Sequence, residues 1–266
     1  MAQEKWLVEG EKVIDIEMIR KLKVSLIGGQ VAIVGHDEPG ARVEVHSVRG
    51  KALKIAIDGD TLEIDHPQLS WDNFIDVFKS FRGSASADVS IMVPRDVELK
   101  FGVVSASALI SGLTEDARIS TVSGDIVIDN HSGDLELNAV SGEIAARNHY
   151  GRIAAHTVSG DVTASGQIMK FTSDGVAGNV FLDIAGIPDE VRINTVSGDV
   201  TTRLEPGIPA QYRINTVSGR LQLDDSQITG VHGTYTGKYG SLDKHWLEFR
   251  ANTVSGNVSV LHAVTA

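Results

Sequence analysis

The four-residue phrase Thr-Val-Ser-Gly recurs along this chain, and its spacing limits the fold more than any other feature. Copies begin at Thr121, Thr157, Thr195, Thr216 and Thr253, and residues 139–142 form a near copy. The step from Val122 to Val140 and on to Val158 is 18 residues, and later steps lengthen to 20, 21 and 37. A fixed period of this size indicates repeats that pack against their neighbours, because no single repeat can bury its apolar side alone.

A second period of nine residues lies inside the first. Counted from Thr121, the fourth place of five successive blocks is glycine, at Gly124, Gly133, Gly142, Gly151 and Gly160. The sixth and eighth places are aliphatic or small, as at Ile126 and Ile128, which is the period of two expected of a half-buried strand. Glycine at a corner permits a positive φ or a close backbone approach.

These two periods predict an all-β, single-chain β-solenoid with coils of about 18 residues and two strands in each coil. We expect the interior to hold two files of stacked apolar side chains. One file comprises Val122, Val140 and Val158, and the other comprises Ile126, Ile144 and Val162. Aromatic residues make up only 5% of the chain, as expected of a thin interior filled by aliphatic side chains.

The chain divides into three parts by pattern. Residues 1–67 alternate apolar and polar places without the repeated phrase, which predicts an irregular N-terminal β part of the solenoid. Residues 68–83 form an aromatic insertion, and the regular repeats occupy 84–266. The insertion places aromatic side chains at helical spacing, which predicts one short aromatic helix or loop near 70–82. It either packs over the solenoid or forms a docking surface, and its candidate partner-binding residues are Trp71, Phe74, Phe78 and Phe81.

The corners carry polar side chains that we interpret as structural. The acidic residues after the glycines, such as Asp125, Glu143 and Asp161, are expected to be solvated, with a stacked calcium site as the alternative. The serines of the phrase are expected to bond backbone groups of neighbouring coils. His131 and His149 are expected to form a surface ladder. We therefore predict no catalytic residues, no metal ligands and no cofactor.

Composition narrows the classes of function. The formal net charge is −11, which disfavours nucleic-acid binding, and the absence of cysteine excludes disulfides and thiolate metal sites. The start of the sequence shows no signal peptide, and no apolar run is long enough to span a bilayer. We therefore expect a cytoplasmic protein without membrane association.

The Thr-Val-Ser-Gly-Asp-Val/Ile phrases and the stretch GGQVAIVGHDEPG resemble a bacterial β-strand-repeat family of unknown function that is provisionally described as adhesins, particularly its actinobacterial members. The resemblance covers the chain from about Ile14 to Val260. It implies a single-chain, β-helix-like fold and no particular activity.

The preferred function is a non-enzymatic scaffold or interaction protein that binds a protein partner or forms a homo-oligomer. The final strand-like segment NVSV lacks charge and proline, so we expect it to leave an uncapped solenoid end for association. The alternatives are a carbohydrate-active β-helix enzyme and an envelope-stress or metal-linked sensor.

Overall fold

The computed structural model describes residues 4–66, 85–228 and 233–263. Within these ranges every regular element is a β-strand, which confirms the all-β prediction. The aromatic segment with Trp71, Phe74, Phe78 and Phe81 lies outside the described residues. The chain forms two compact units, Met1–Gly133 and Asp134–Ala266.

The described residues of unit 1 form twelve strands: β1 (Glu4–Val8), β2 (Lys12–Ile16), β3 (Lys21–Leu26), β4 (Gly29–His36), β5 (Ala41–Arg49), β6 (Leu53–Asp58), β7 (Thr61–Asp65), β8 (Ser86–Pro94), β9 (Glu98–Val103), β10 (Ser107–Ser111), β11 (Ala117–Thr121) and β12 (Ile126–Asp129). They pair in two ladders, β1–β6–β7–β3–β9–β11 and β2–β5–β8–β4–β10–β12. The pairs β1–β6, β6–β7, β2–β5 and β5–β8 are antiparallel, and the pairs deeper in the ladders are parallel.

Twelve more strands lie in the part of unit 2 that the structure describes: β13 (Leu135–Ala139), β14 (Ile144–Thr157), β15 (Val162–Gly175), β16 (Val180–Ile184), β17 (Glu190–Asn194), β18 (Val200–Leu204), β19 (Ala210–Thr216), β20 (Leu221–Leu223), β21 (Ser226–Ile228), β22 (Gly233–Tyr239), β23 (Leu247–Thr253) and β24 (Val258–His262). One ladder runs β13–β14–β15–β17–β23–β19–β22, and the other runs β14–β15–β16–β18–β24–β20–β21. The long strands β14 and β15 contribute one half to each ladder, so a coil carries a strand on each side as predicted.

The stacking order departs from chain order near the end of unit 2. Strand β23 lies between β17 and β19, and β24 lies between β18 and β20. The prediction of an uncapped end at NVSV was therefore wrong, because both edges of that strand are paired. The described residues between β20 and β23 include β21 and β22, which end the two ladders as antiparallel strands.

The interior of each coil follows the period of two. Ile126 and Ile128 are buried in unit 1, and Ile144, Ala146, Val162 and Ala164 are buried in unit 2. Ile144 and Ala146 of β14 lie directly opposite Val162 and Ala164 of β15, so equivalent side chains stack in files. The largest buried side chains include Phe101, Phe171 and Phe249, each within a strand.

Candidate binding surface

In the corners of unit 2, the threonine and valine side chains of the repeated phrase point in directions opposite to those predicted. Threonine, not valine, points into the core: Thr253 Oγ1 accepts a hydrogen bond from Gly256 N at 2.8 Å, and Thr157 Oγ1 does the same for Gly160 at 2.8 Å. Valine then faces solvent, with 40% of Val140 and 51% of Val158 exposed. The predicted valine file holds only at Val122, which is buried. The hydroxyl takes the inner place because it satisfies a buried backbone donor that a methyl group cannot.

The corner glycines allow the backbones of neighbouring coils to touch. A Cβ built on Gly198 would lie 1.9 Å from the carbonyl oxygen of Gly178, and one on Gly256 would lie 2.0 Å from that of Gly198. Gly133 and Gly151 serve the other corners, where φ is +112° and +143°. The predicted reason for glycine is therefore correct in both its forms, and the two forms alternate along the chain.

The remaining corner side chains are used for structure. Ser159 Oγ donates to the carbonyl of Val140 at 3.1 Å, as predicted for the serine ladder. Asp161 and Asp199 accept backbone N–H groups of Asn179 and Asn257, at 2.7 and 2.8 Å. An acidic side chain after the corner therefore holds the next coil.

The two histidines expected on the surface, His131 and His149, are instead buried. Asn130 and Asn148, immediately before them, both have φ of +51°, a backbone conformation that departs from the extended strand. The alternation of inward and outward side chains therefore breaks at these asparagines, and the residues that follow point into the core.

Three neighbouring strands of unit 2 present the same outward side chains. The phrase Arg-x-Asn-Thr-Val-Ser-Gly begins at Arg192, Arg213 and Arg250. The insertion of β23 between β17 and β19 brings the three copies into consecutive rungs, where a rung is one strand and its corner. Register places Arg192 opposite Arg250, and Arg250 opposite Arg213.

We call this surface the three-rung face. It consists of three rows that run across the strands: Arg192, Arg250 and Arg213; Asn194, Asn252 and Asn215; and Val196, Val254 and Val217. Successive members of the arginine and asparagine rows are about 4.8 Å apart, the spacing of paired strands. The arginines and the valines are exposed, and the asparagines are half-buried or exposed.

The asparagine row is a continuous hydrogen-bonded ladder. Asn194 donates to Asp174 at 2.7 Å, Asn252 donates to Asn194 at 2.6 Å, and Asn215 donates to Asn252 at 2.5 Å. Thr234 of β22 donates to Asn215 at 2.5 Å and completes the ladder. The asparagine and valine rows line a shallow groove of about 470 Å³. The groove is therefore rigid on its polar side and apolar on the other.

The arginine row stacks like charges. Arg250 bonds Glu248 at 2.6 Å in its own strand, whereas Arg192 and Arg213 make no ion pair with any residue in the described ranges. The positive charge also acts on Glu190: its hydrogen bond with Lys170 first, and the charges of Lys170, Arg250 and Arg192 further, lower the pKa of its carboxyl. Two guanidinium groups thus flank a third that is already occupied, in a protein whose net charge is −11.

A protein-family model for the Toastrack domain DUF4097 matches residues 19–261. The chain belongs to the Toastrack family. The Toastrack fold is a β-solenoid-like fold, which confirms both the predicted architecture and the resemblance to the β-strand-repeat family.

Solved structures resemble this Toastrack chain at low identity. A protein of Parabacteroides distasonis, provisionally named as lipid binding, has 13% identity and a TM-score of 0.52, over 95% of this chain and 97% of that one. A protein of Bacteroides fragilis provisionally named an adhesin has 11% identity and a TM-score of 0.41, over 95% and 99%. A protein of Clostridium sporogenes provisionally named for cell adhesion has 13% identity and a TM-score of 0.28, over 98% and 100%. No curated protein matches the chain.

In residues 4–66, 85–228 and 233–263, no helix is long and apolar enough to cross a bilayer. The same part of the chain contains no group of three or more His, Cys, Asp or Glu side chains that could hold a metal ion.

The arginine row was missed by sequence reasoning, although a signal for it was present. The three copies of the long phrase share arginine and asparagine as well as the corner. Their spacing of 21 and 37 residues concealed that they are adjacent, because the last copy returns to the middle of the ladder.

Proposed function

We propose that this protein is a non-enzymatic, adhesin-like interaction protein that holds an extended acidic partner on the three-rung face. The observation that carries the proposal is the repetition of arginine, asparagine and valine in three rungs that are adjacent in space but separated in sequence. Packing explains the inward residues of these rungs. It does not require the outward ones to be identical, since neighbouring β15 carries Thr172 and Asp174 at the equivalent places.

The shape of the corners supports binding over catalysis. Backbones meet at Gly198 and Gly256 with no room for a methyl group, so these corners do not open into a cleft. The groove beside the valines is shallow and has a bonded amide ladder as its polar wall. Such a surface suits an elongated ligand that lies along it. We also propose the cytoplasm as its location, which fractionation of the native cell tests.

The test uses the full chain and its native partner. Two double variants test the face: Arg192→Gln with Arg213→Gln, and Val196→Ser with Val217→Ser. Both change only exposed side chains, so the circular dichroism spectrum should stay unchanged. Each pair should reduce cross-linking to the partner in the native cell by at least about tenfold, since buried charge-assisted bonds and apolar contacts dominate such interfaces. Lys100→Gln in unit 1 is the matched control, because Lys100 is also an exposed cation between two others, Lys23 and Arg118. Unchanged cross-linking in both double variants would exclude this face as the binding site. It would favour the alternative set of candidate partner-binding residues, Trp71, Phe74, Phe78 and Phe81.

Self-association is a second candidate function, and strand β22 favours it. Its seven residues are largely exposed and it pairs only with β19 among the described strands, so one edge offers unpaired backbone groups. An antiparallel pair of two copies centred on Thr236 would place Tyr235 of each copy opposite Gly237 of the other, an arrangement that favours pairing. Sedimentation of the full chain should show a dimer that Thr236→Pro abolishes. A strict monomer at high concentration would exclude it.

A further inference from the structure

We infer that the ligand of the three-rung face is a linear acidic polysaccharide with one carboxylate on each sugar, lying across the strands along the three rows. This inference rests on the function proposed above and names the class of ligand. It depends on the spacing of the two available guanidinium groups, on their planar chemistry, and on the polar and apolar rows beside them.

The spacing selects among acidic polymers. Arg192 and Arg213 lie two rungs apart, about 10 Å, with Arg250 between them bonded to Glu248. In a 1,4-linked polyuronate with a two-fold screw, carboxylates on one side recur once in every disaccharide, a distance close to two rungs. An extended acidic peptide presents side chains on one side about every 6.6 Å, which matches neither one rung nor two.

The chemistry of each row corresponds to a different part of a uronic acid. A guanidinium group binds a carboxylate through two parallel N–H bonds, which a point charge such as lysine does not do. Each asparagine in the ladder spends one N–H and one carbonyl lone pair on its neighbours, and the amide retains a second N–H and a second lone pair for sugar hydroxyls. The methyl groups of Val196, Val254 and Val217 offer an apolar strip for the C–H face of the sugar rings.

Other anionic ligands fit less well. The nearby carboxylates Glu190, Glu248 and Asp174 limit the positive potential, which disfavours a dense polyphosphate such as nucleic acid. A membrane surface favours a broad cationic and aromatic face, whereas this face carries valine as its apolar residue and belongs to a chain of net charge −11. A polymer with one charge for each sugar requires only the two spaced arginines.

The experiment is calorimetric titration of the full chain with a β-1,4-linked mannuronate hexamer in low salt. The matched ligand is β-1,4-mannohexaose, which has the same backbone with hydroxymethyl groups in place of carboxylates and should not bind measurably. Arg192→Gln with Arg213→Gln should weaken the uronate at least about tenfold, and raising the salt should weaken it further. Arg192→Lys with Arg213→Lys should recover only part of the loss, because the charge returns without the paired N–H geometry. Lys100→Gln should have no effect.

Parallel titrations separate failure of this inference from failure of the proposed function. Hexaglutamate or phosphatidylglycerol vesicles could bind more strongly than the uronate and lose this binding in the same arginine variant. That result would overturn the assignment of a polysaccharide ligand but would keep the face as a binding site. Equal binding of the uronate and mannohexaose would also overturn it. Binding of the uronate that is unaltered in the arginine variant would place the ligand elsewhere and overturn both.

Discussion

The two units use the outer surface of their rungs in different ways. In unit 1, three lysines pair with carboxylates on neighbouring strands: Lys23 with Glu63 at 3.0 Å, Lys21 with Glu98 at 3.3 Å and Lys54 with Asp65 at 2.8 Å. Unit 2 has such pairs as well, for example Lys170 with Glu190 at 2.8 Å, but its three-rung face stacks arginines. Arg192 and Arg213 form no ion pair with any residue in the described ranges. Charge in the first case contributes to folding, whereas we propose that charge in the second binds a ligand.

The interiors differ as well. In unit 2 the threonine–glycine bond recurs at four corners, those of Thr157, Thr195, Thr216 and Thr253, and in unit 1 the same bond is formed at Thr121. Unit 1 buries His66 completely; its Nδ1 accepts from Ile27 N at 3.2 Å, and its Nε2 meets no partner among residues 4–66 and 85–133. The threonine corners thus satisfy their own polar groups, whereas His66 is a buried group of unit 1 whose charge depends on pH.

The largest effect should come from filling a corner of unit 2. Gly198→Ala places a methyl group 1.9 Å from the carbonyl oxygen of Gly178, and both atoms belong to backbone that is held by ladder pairing. We expect a loss of about 3 kcal/mol or more in the free energy of unfolding, measured by urea denaturation. Gly10→Ala is the control, since open space surrounds that glycine. A Gly198→Ala protein as stable as the control would show that the coils can separate. The spacing of about 10 Å between Arg192 and Arg213 would then not be fixed.

The next effect should be the pH dependence contributed by unit 1. Burial, the largest cause, lowers the pKa of His66 to about 4, with the charge of Asp65 opposing that shift and Lys51 adding to it. In the unfolded chain the His66 imidazole is protonated below about pH 6.5, whereas in the folded chain it is protonated only below about pH 4. The contribution of His66 to the free energy of unfolding is therefore fully present above pH 6.5. It falls by up to about 3 kcal/mol as the pH drops from 6.5 to 4.

Urea titrations of the wild type and of His66→Leu measure this contribution. The variant loses the acceptor for Ile27 N and should be weaker at neutral pH, but its stability should decline less between pH 6.5 and pH 4. His46→Gln, which changes an exposed histidine of the same unit, is the matched control variant. Parallel slopes for wild type and His66→Leu would mean that His66 is protonated in the folded state.

These contrasts show what the sequence could predict. The nine-residue glycine period and the aliphatic pairs, such as Ile126 with Ile128, follow directly from strand geometry, and the coils were predictable from them. The direction of the corner was not, because threonine and valine have similar size and β propensity, and only the hydrogen bond from Gly256 N decides which one points inward. The position of β23 depends on long-range pairing. The local sequence around Arg250 and Asn252 does not indicate which strands β23 pairs with.

A smaller effect separates the two sides of one corner. Thr253→Val removes the acceptor for Gly256 N and should cost about 1–2 kcal/mol, because a buried backbone donor loses its partner. Val254→Thr is the reverse exchange one residue later, on the exposed side, and should change the unfolding free energy by less than about 0.5 kcal/mol. Thermal or urea unfolding measures both. A larger cost for the valine exchange would mean that Val254 packs against structure, and it could not then be part of a ligand surface.

The smallest effects test the contrast in charge. Lys54→Gln breaks a pair whose side chains are only 24% and 19% exposed, and it should cost about 1 kcal/mol. Arg192→Gln with Arg213→Gln removes two like charges that have no described ion-pair partner, so stability should stay constant or rise by up to about 0.5 kcal/mol. Urea denaturation at low and high salt measures both, and added salt should reduce each difference. A loss above about 1 kcal/mol in the arginine variant would assign those guanidinium groups to folding, as in unit 1, because groups reserved for a ligand can be removed from the free protein without weakening it.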